Sequence, residues 1–171
     1  MDIFMEQLVE KKSSGMDYFK KGVFIVAGLA LAIALMTFAF VTRLYLFLII
    51  SLGVLYAIVV NLKNFDIEYE YIVTNRELDI DKIRGKKTRK RLITISLENT
   101  EFFGVYNEKN IGSVNATVMA TDGTDFNQYL LITTHKKMGK IAIVFSPNPE
   151  FLEAVKKGMP INIVRGMRNI D

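Results

Sequence analysis

Between Gly22 and Leu62 the chain carries a single charged residue, Arg43, and that one cation divides two long apolar runs. Val23 to Val41 is an uncharged run of 19 residues and Leu44 to Val60 a second of 17. Each approaches the roughly 20 residues that an α-helix needs to cross a hydrocarbon core of about 30 Å. Two helices that are apolar on every side cannot be covered by a chain of 171 residues. The expectation is a membrane hairpin with spans at about 22–42 and 44–62, followed by one modest soluble domain. The first run is too long for the core of a signal peptide and is followed at once by more apolar sequence, so it reads as retained.

Flanking cations give the orientation. Lys11, Lys12, Lys20 and Lys21 precede the first span and Lys63 follows the second, against Arg43 alone at the tip. Lys and Arg close to a span resist translocation, so both termini are expected in the cytoplasm and the protein in the cell membrane with two spans. The chain has no cysteine, which excludes disulfides, iron–sulfur ligation and thiol nucleophiles.

Within the hairpin, Gly28-x-x-x-Ala32 and Gly53-x-x-x-Ala57 have the small-xxx-small spacing that lets helix backbones approach closely in lipid. If the chain reverses at Thr42–Arg43, Gly28 and Ala57 lie at one depth and Ala32 and Gly53 at another. The four residues are therefore the expected packing seam.

Outside the hairpin the periodicity changes. Residues 1–20 read as an amphipathic N-terminal segment, a short surface helix with Ile3, Phe4, Met5, Leu8 and Val9 near one side, broken at Ser13-Ser14-Gly15. The hairpin occupies 21–63 and the soluble domain 64–171. In that domain Asp66-Ile67-Glu68-Tyr69-Glu70-Tyr71 alternates acid with apolar residue, the mark of a half-buried strand with its carboxylates on one face. Further strands are expected over 77–83, 89–97, 101–106, 116–121, 126–134 and 140–145, with a polar loop at 107–115 and a hairpin turn at Asp122-Gly123. Seven short antiparallel strands result. A helix then follows: Asn148 is a good N-cap, Pro149 suits the first helical position, and Phe151, Leu152, Val155 and Met159 form its apolar stripe. Gly158 and Pro160 end it.

Four strands, three strands and a closing helix is the order of the pleckstrin-homology (PH) fold. The stretch from Tyr69 to Tyr106, with Tyr71-x-x-Thr74-Asn75-x-x-Leu78 inside it, resembles the first half of bacterial PH-like domains. The whole arrangement is similar to an uncharacterised family of small two-helix membrane proteins of Gram-positive bacteria. The resemblance implies a membrane α-helical hairpin plus a mainly-β PH-like domain with a C-terminal capping helix. It brings no catalytic residues with it.

Lys82 to Arg91, KIRGKKTRKR, holds seven basic residues in ten and is the strongest local candidate for function. The first strand leaves the membrane, the second returns, and the turn between the second and third comes back toward the bilayer. Arg84, Lys86 and Lys87 are expected there as contacts to anionic headgroups, each contributing about 1 kcal/mol at most. Arg89 and Arg91 are expected to pair instead with acids such as Asp79 and Asp81 across the strands. The PH phosphoinositide pattern sits on the loop between the first two strands, and here Thr74-Asn75-Arg76 is tight and nearly uncharged, which disfavours specific inositol-lipid recognition. Nucleic acid is not an expected partner, because six acids lie between Asp66 and Asp81 and no aromatic residue is interleaved with the cations.

No catalytic constellation, cofactor site or metal site is read from the sequence. Asp79-x-Asp81 lacks a third ligand, and His135 lies in a lysine-flanked turn without a partner nearby in sequence. The expected protein is a non-catalytic, membrane-anchored binding or scaffolding module at the inner membrane face. The alternative is an accessory subunit of a larger transport or envelope-assembly complex; a membrane-protein partner would mark the subunit, and a monomer or a homo-oligomer the module.

Overall fold

The computed structural model of the chain describes residues 3–124 and 126–167. It divides into two compact units: a β domain of Met1–Lys12, Glu68–Ile83 and Thr88–Asp171, and a hairpin unit of Ser13–Ile67 with Arg84–Lys87.

In the hairpin unit, α1 (Gly15–Thr42) begins with a capping box. The Asp17 amide donates to the Ser14 hydroxyl oxygen at 3.3 Å and the Ser14 amide to the Asp17 carboxylate at 3.1 Å, so two of the amides left over at a helix start are satisfied. Arg43, left-handed at φ 57°, ends the helix, and α2 (Leu46–Leu62) returns. Both helices are long and apolar enough to cross a membrane. Their mutual contact is narrow. Ala32 and Ala39 of α1 and Ser51 and Ile58 of α2 are buried, whereas Val26, Phe40 and Tyr56 are each about two-thirds exposed or more. Phe38 meets Phe47 edge-on at 4.9 Å near the tip, and Phe24 meets Phe65 at 5.8 Å near the open end.

The β domain has two four-stranded sheets among the described residues. The first, in the order β1-β2-β3-β4, consists of β1 (Phe4–Glu10), β2 (Ile67–Thr74), β3 (Glu77–Arg84) and β4 (Thr88–Ser96). Here the expected surface helix over residues 1–20 is corrected. The segment Phe4–Glu10 is a strand, paired antiparallel with β2 from Phe4↔Thr74 to Glu10↔Glu68. Its burial alternates with a period of two: Val9 is buried and Met5 and Gln7 half-buried, while Phe4, Glu6, Leu8 and Glu10 are exposed. Both periods fit a segment this short. Pairing with β2 settles the matter by satisfying a ladder of backbone groups that a surface helix would not supply to β2. The Gln7 side chain adds to it, donating to the Ser146 carbonyl at 3.2 Å and accepting from the Asn148 amide at 2.9 Å.

The second sheet runs β5-β7-β8-β6, from β5 (Thr100–Val105), β6 (Ala116–Ala120), β7 (Tyr129–His135) and β8 (Gly139–Phe145). Among the described residues β1 joins strands at the seven expected places, and not all are antiparallel: β6 pairs parallel with β8, from Ala116↔Ile141 to Ala120↔Phe145. The Asp122-Gly123 hairpin expected after β6 is therefore absent, because β6 is not beside β7. Gly123 does have a positive φ, 79°, but serves a loop that closes on β1's end, where the Lys12 amide donates to the Asp122 carbonyl at 2.7 Å. A Cβ at Gly123 would lie 3.0 Å from the Lys12 carbonyl oxygen.

The second sheet is buried on both faces, which explains its near-continuous apolar runs in β7 and β8. Leu130, Ile132, Ala142 and Val144 form one cluster, covered by Phe102, Tyr106, Ile111 and Val114. On the other face Phe145 meets Tyr71 edge-on at 5.7 Å, and Tyr71 meets Phe151 at the same distance. Tyr71 is fully buried; its phenol donates to the Ala120 carbonyl and accepts from the Ser146 amide at 3.3 Å. Burial pushes the phenol's pKa up, so it stays a donor. The helix α3 (Pro149–Gly158) brings Phe151, Ala154 and Val155 into this core, capped by the Asn148 side chain, which accepts from the Phe151 amide at 2.7 Å. A short α4 (Ile161–Met167) follows and lies against β5.

Candidate functional site

The turn between β3 and β4 is built for a tight reversal. Gly85 and Lys86 both have φ 58°, and the Lys87 amide donates to the Arg84 carbonyl at 3.1 Å, the geometry of a type I′ hairpin turn. The turn is seated on the chain that leaves α2. The Gly85 amide donates to the Asp66 carbonyl at 2.9 Å, and a Cβ at Gly85 would lie 2.9 Å from the Lys63 carbonyl oxygen. Only glycine combines this φ with so close an approach. Asp66 in turn accepts from the Lys21 ammonium at 2.9 Å, which ties α1 to the same place. The structure thus brings the sequence-predicted Arg84, Lys86 and Lys87 to the open end of the hairpin, beside Lys21 and Lys63. Arg84, Lys86, Lys87 and Lys63 are all exposed. The arrangement is a basic collar around the end opposite Arg43.

The rest of the basic run has a different fate. Arg89 lies 2.5 Å from the Glu70 carboxylate, and Arg91 bonds Asp81 and lies 2.7 Å from Asp79. The Arg91 guanidinium also donates to the Thr94 hydroxyl at 2.9 Å. Its bond to Asp81 holds its pKa above even the ordinary arginine value, against an opposing effect of burial. The pairing expected of Arg91 is present, and Arg89 takes Glu70 instead of a β3 acid. The alternating acids of β2 and β3 do not form a solvated face: Glu68, Glu70 and Asp81 are buried. Alternation in the sequence located them on one side of the strands but could not tell that this side is covered.

The small residues of the hairpin are only half placed as expected. Gly28 lies in the seam, where a Cβ would come within 2.5 Å of the Ile58 side chain, and Ala32 is buried. Gly53 has open space about it and Ala57 is exposed. The depth match was close, since Gly28 meets position 58 in place of 57. The rotation of α2 was not: its seam runs through Ser51 and Ile58. An almost uniformly apolar helix carries no stripe from which its inward face can be read.

Among the described residues no group of three or more His, Asp or Glu side chains is arranged to hold a metal ion. The His135 imidazole accepts from the Lys137 amide at 3.2 Å across its turn.

The architecture defines a class: a two-sheet, mainly-β domain with C-terminal helices, joined to two helices of membrane-spanning length. Over residues 1–165 the chain matches the family described as Bacterial PH-like domain (DUF6106), and it belongs to that family. No curated protein and no solved structure matches it.

Proposed function

We propose that the protein is a non-catalytic, membrane-anchored PH-like module that binds or scaffolds at the inner face of the cell membrane, both termini cytoplasmic. The observation that carries this reading is the basic collar at the open end of the hairpin. An apolar hairpin exposed on nearly all sides needs hydrocarbon around it, and a lipid-embedded hairpin sets its open end at the headgroup layer. Arg84, Lys86 and Lys87 then meet anionic headgroups, joined by Lys63, with a shared attraction that salt weakens and that does not distinguish one anionic lipid from another. Nucleic acid is not part of this reading.

The absence of cysteine makes the test clean. Single cysteines at Thr42 and at Lys87 in cells should react with a membrane-impermeant maleimide from outside and only after permeabilisation, respectively. External labelling at Lys87 would reverse the topology and remove the inner-leaflet role.

A second reading is favoured by one observation. Gly53-x-x-x-Ala57 faces outward on α2 with open space at Gly53, a surface on which another helix can pack closely. Under it the protein is an accessory subunit of a larger membrane complex for transport or envelope assembly. Purification in mild detergent separates the two: a stoichiometric membrane-protein partner supports the subunit, and a monomer or a homo-oligomer supports the module.

A further inference from the structure

Glu70 is one of three buried carboxyls among the described residues, with Glu68 and Asp81. Its side chain is 5% exposed, one oxygen is held by Arg89, and the other, Oε2, is buried with no hydrogen-bond partner. A buried acceptor left in that state costs free energy comparable to a lost hydrogen bond. The register of β1 on β2 supplies the remedy. Leu8 stands opposite Glu70 and Glu6 opposite Ile72, so Glu6 and Glu70 are diagonal neighbours on one face of the sheet. Diagonal neighbours on one face lie within reach of long side chains, and the Glu6 carboxyl is among the groups that raise the Glu70 pKa. Two carboxylates cannot bond each other. One carboxylic acid and one carboxylate can, and the bond is a strong, charge-assisted one.

We propose that Glu6 and Glu70 share a proton, which latches the N-terminal strand β1 to the sheet in a pH-dependent way. Glu70, the buried partner, holds the proton and donates to the exposed Glu6. The groups around it divide as this requires. Glu6 on β1 and Asp81 on β3 are negative neighbours that favour the protonated form, Arg89 on β4 opposes them, and Arg91 is occupied by Asp79 and Asp81. Glu68, on the same strand and the same face, is a further carboxyl with contacts of its own. Burial, first, and the bond to Glu6, second, raise the Glu70 pKa above its ordinary value. The sign follows. A carboxyl whose folded pKa lies above its unfolded one stabilises the fold fully below the unfolded value, and that stabilisation is lost as pH rises through the folded one. Rising pH therefore loosens β1. Since β1 is the edge strand beside β2, the latch governs the exposure of the β2 edge.

The test uses the full chain in nanodiscs. Carbon-detected NMR follows the Glu70 carboxyl, and hydrogen exchange follows the β1 amides, across pH 4 to 8. Glu70 should titrate above the ordinary glutamate value, and β1 protection, corrected for intrinsic exchange, should fall about tenfold through the same interval, the worth of one charge-assisted hydrogen bond. Glu6→Gln should lower the Glu70 titration, because an amide donates to the ionised form. Glu70→Gln should make β1 protection independent of pH. If Glu70→Gln does not fold, the wild-type titration and Glu6→Gln decide. A Glu70 titration unmoved by Glu6→Gln would show burial acting alone, and β1 protection that ignores the Glu70 titration would show that the pair holds nothing; either result overturns the latch.

Discussion

The two compact units bury opposite things. In the hairpin unit, large apolar side chains such as Ile33 and Val59 are each 61% exposed, while small or polar ones, Ala32, Ala39 and Ser51, are inside. In the β domain, Leu78, Ile80, Leu131 and Phe145 are fully buried, and two of the buried carboxyl groups, Glu70 and Asp81, lie beside a guanidinium. One chain cannot satisfy both patterns in one solvent. The inversion is the pattern that the proposed membrane anchoring expects, with lipid around the hairpin and water around the β domain. Under that proposal close approach and not hydrophobicity organises the hairpin, since lipid is as apolar as leucine and provides no drive to bury it.

The sharpest way to break the comparison is to add a charge at equally exposed positions in the two units. Ile33→Lys, on the outward side of α1, should oppose membrane insertion by about 3 kcal/mol, measured as the inserted fraction in a translocon assay. Val105→Lys, at 59% exposure in the β domain, should change folding stability by less than about 0.5 kcal/mol. Equal tolerance at the two positions would mean that both face water.

Next in size is the charge pairing of the β domain. Arg91→Met leaves Asp81 buried without its partner, and denaturant unfolding should show a loss of about 2 kcal/mol. That is below the 3–5 kcal/mol typical of fully buried pairs, because the guanidinium itself is half exposed. Comparable or smaller is the seam of the hairpin. Gly28→Ile, which meets Ile58, should weaken helix–helix packing by about 1–3 kcal/mol in detergent, and Gly53→Ile should leave the isolated hairpin unchanged. A loss at Gly53 in the purified monomer would restore the seam that the sequence pattern proposed. The smallest effect belongs to the collar: Arg84→Gln, Lys86→Gln and Lys87→Gln together should alter folding stability by under about 0.5 kcal/mol, as exposed turn positions do.

These contrasts mark what the sequence carried and what it did not. The helix pair was legible because length and the lack of charge suffice. The α3 boundaries were legible because Asn148, Pro149, Gly158 and Pro160 each act locally. Strands β2 to β5 were legible from alternation and turn residues. Failure began where the partner decides. Residues 4–10 fit two periods, and only the ladder to β2 selects one. The parallel β6–β8 pairing depends on a crossover with no local mark, and Asp122-Gly123 gave a turn signal that the loop used otherwise. At the site, the position of Arg84–Lys87 followed from strand reversal alone. The Lys21–Asp66 bond, the burial of Glu70 and its contact with Glu6 join residues 45 or more positions apart, beyond the reach of a local pattern.

The central claim, that the collar lies at the headgroups, is tested most directly by depth. The full chain, with a fluorophore on a single cysteine at Lys87 or at Leu52, is placed in nanodiscs containing lipids that carry a spin-label quencher either on the headgroup or deep in the acyl chain. The account predicts that Lys87 is quenched by the headgroup label, more strongly in anionic than in zwitterionic lipid and less as salt rises, and that Leu52 is quenched by the acyl-chain label. A Lys87 fluorophore untouched by either quencher, or one whose quenching ignores lipid charge and salt, would contradict it.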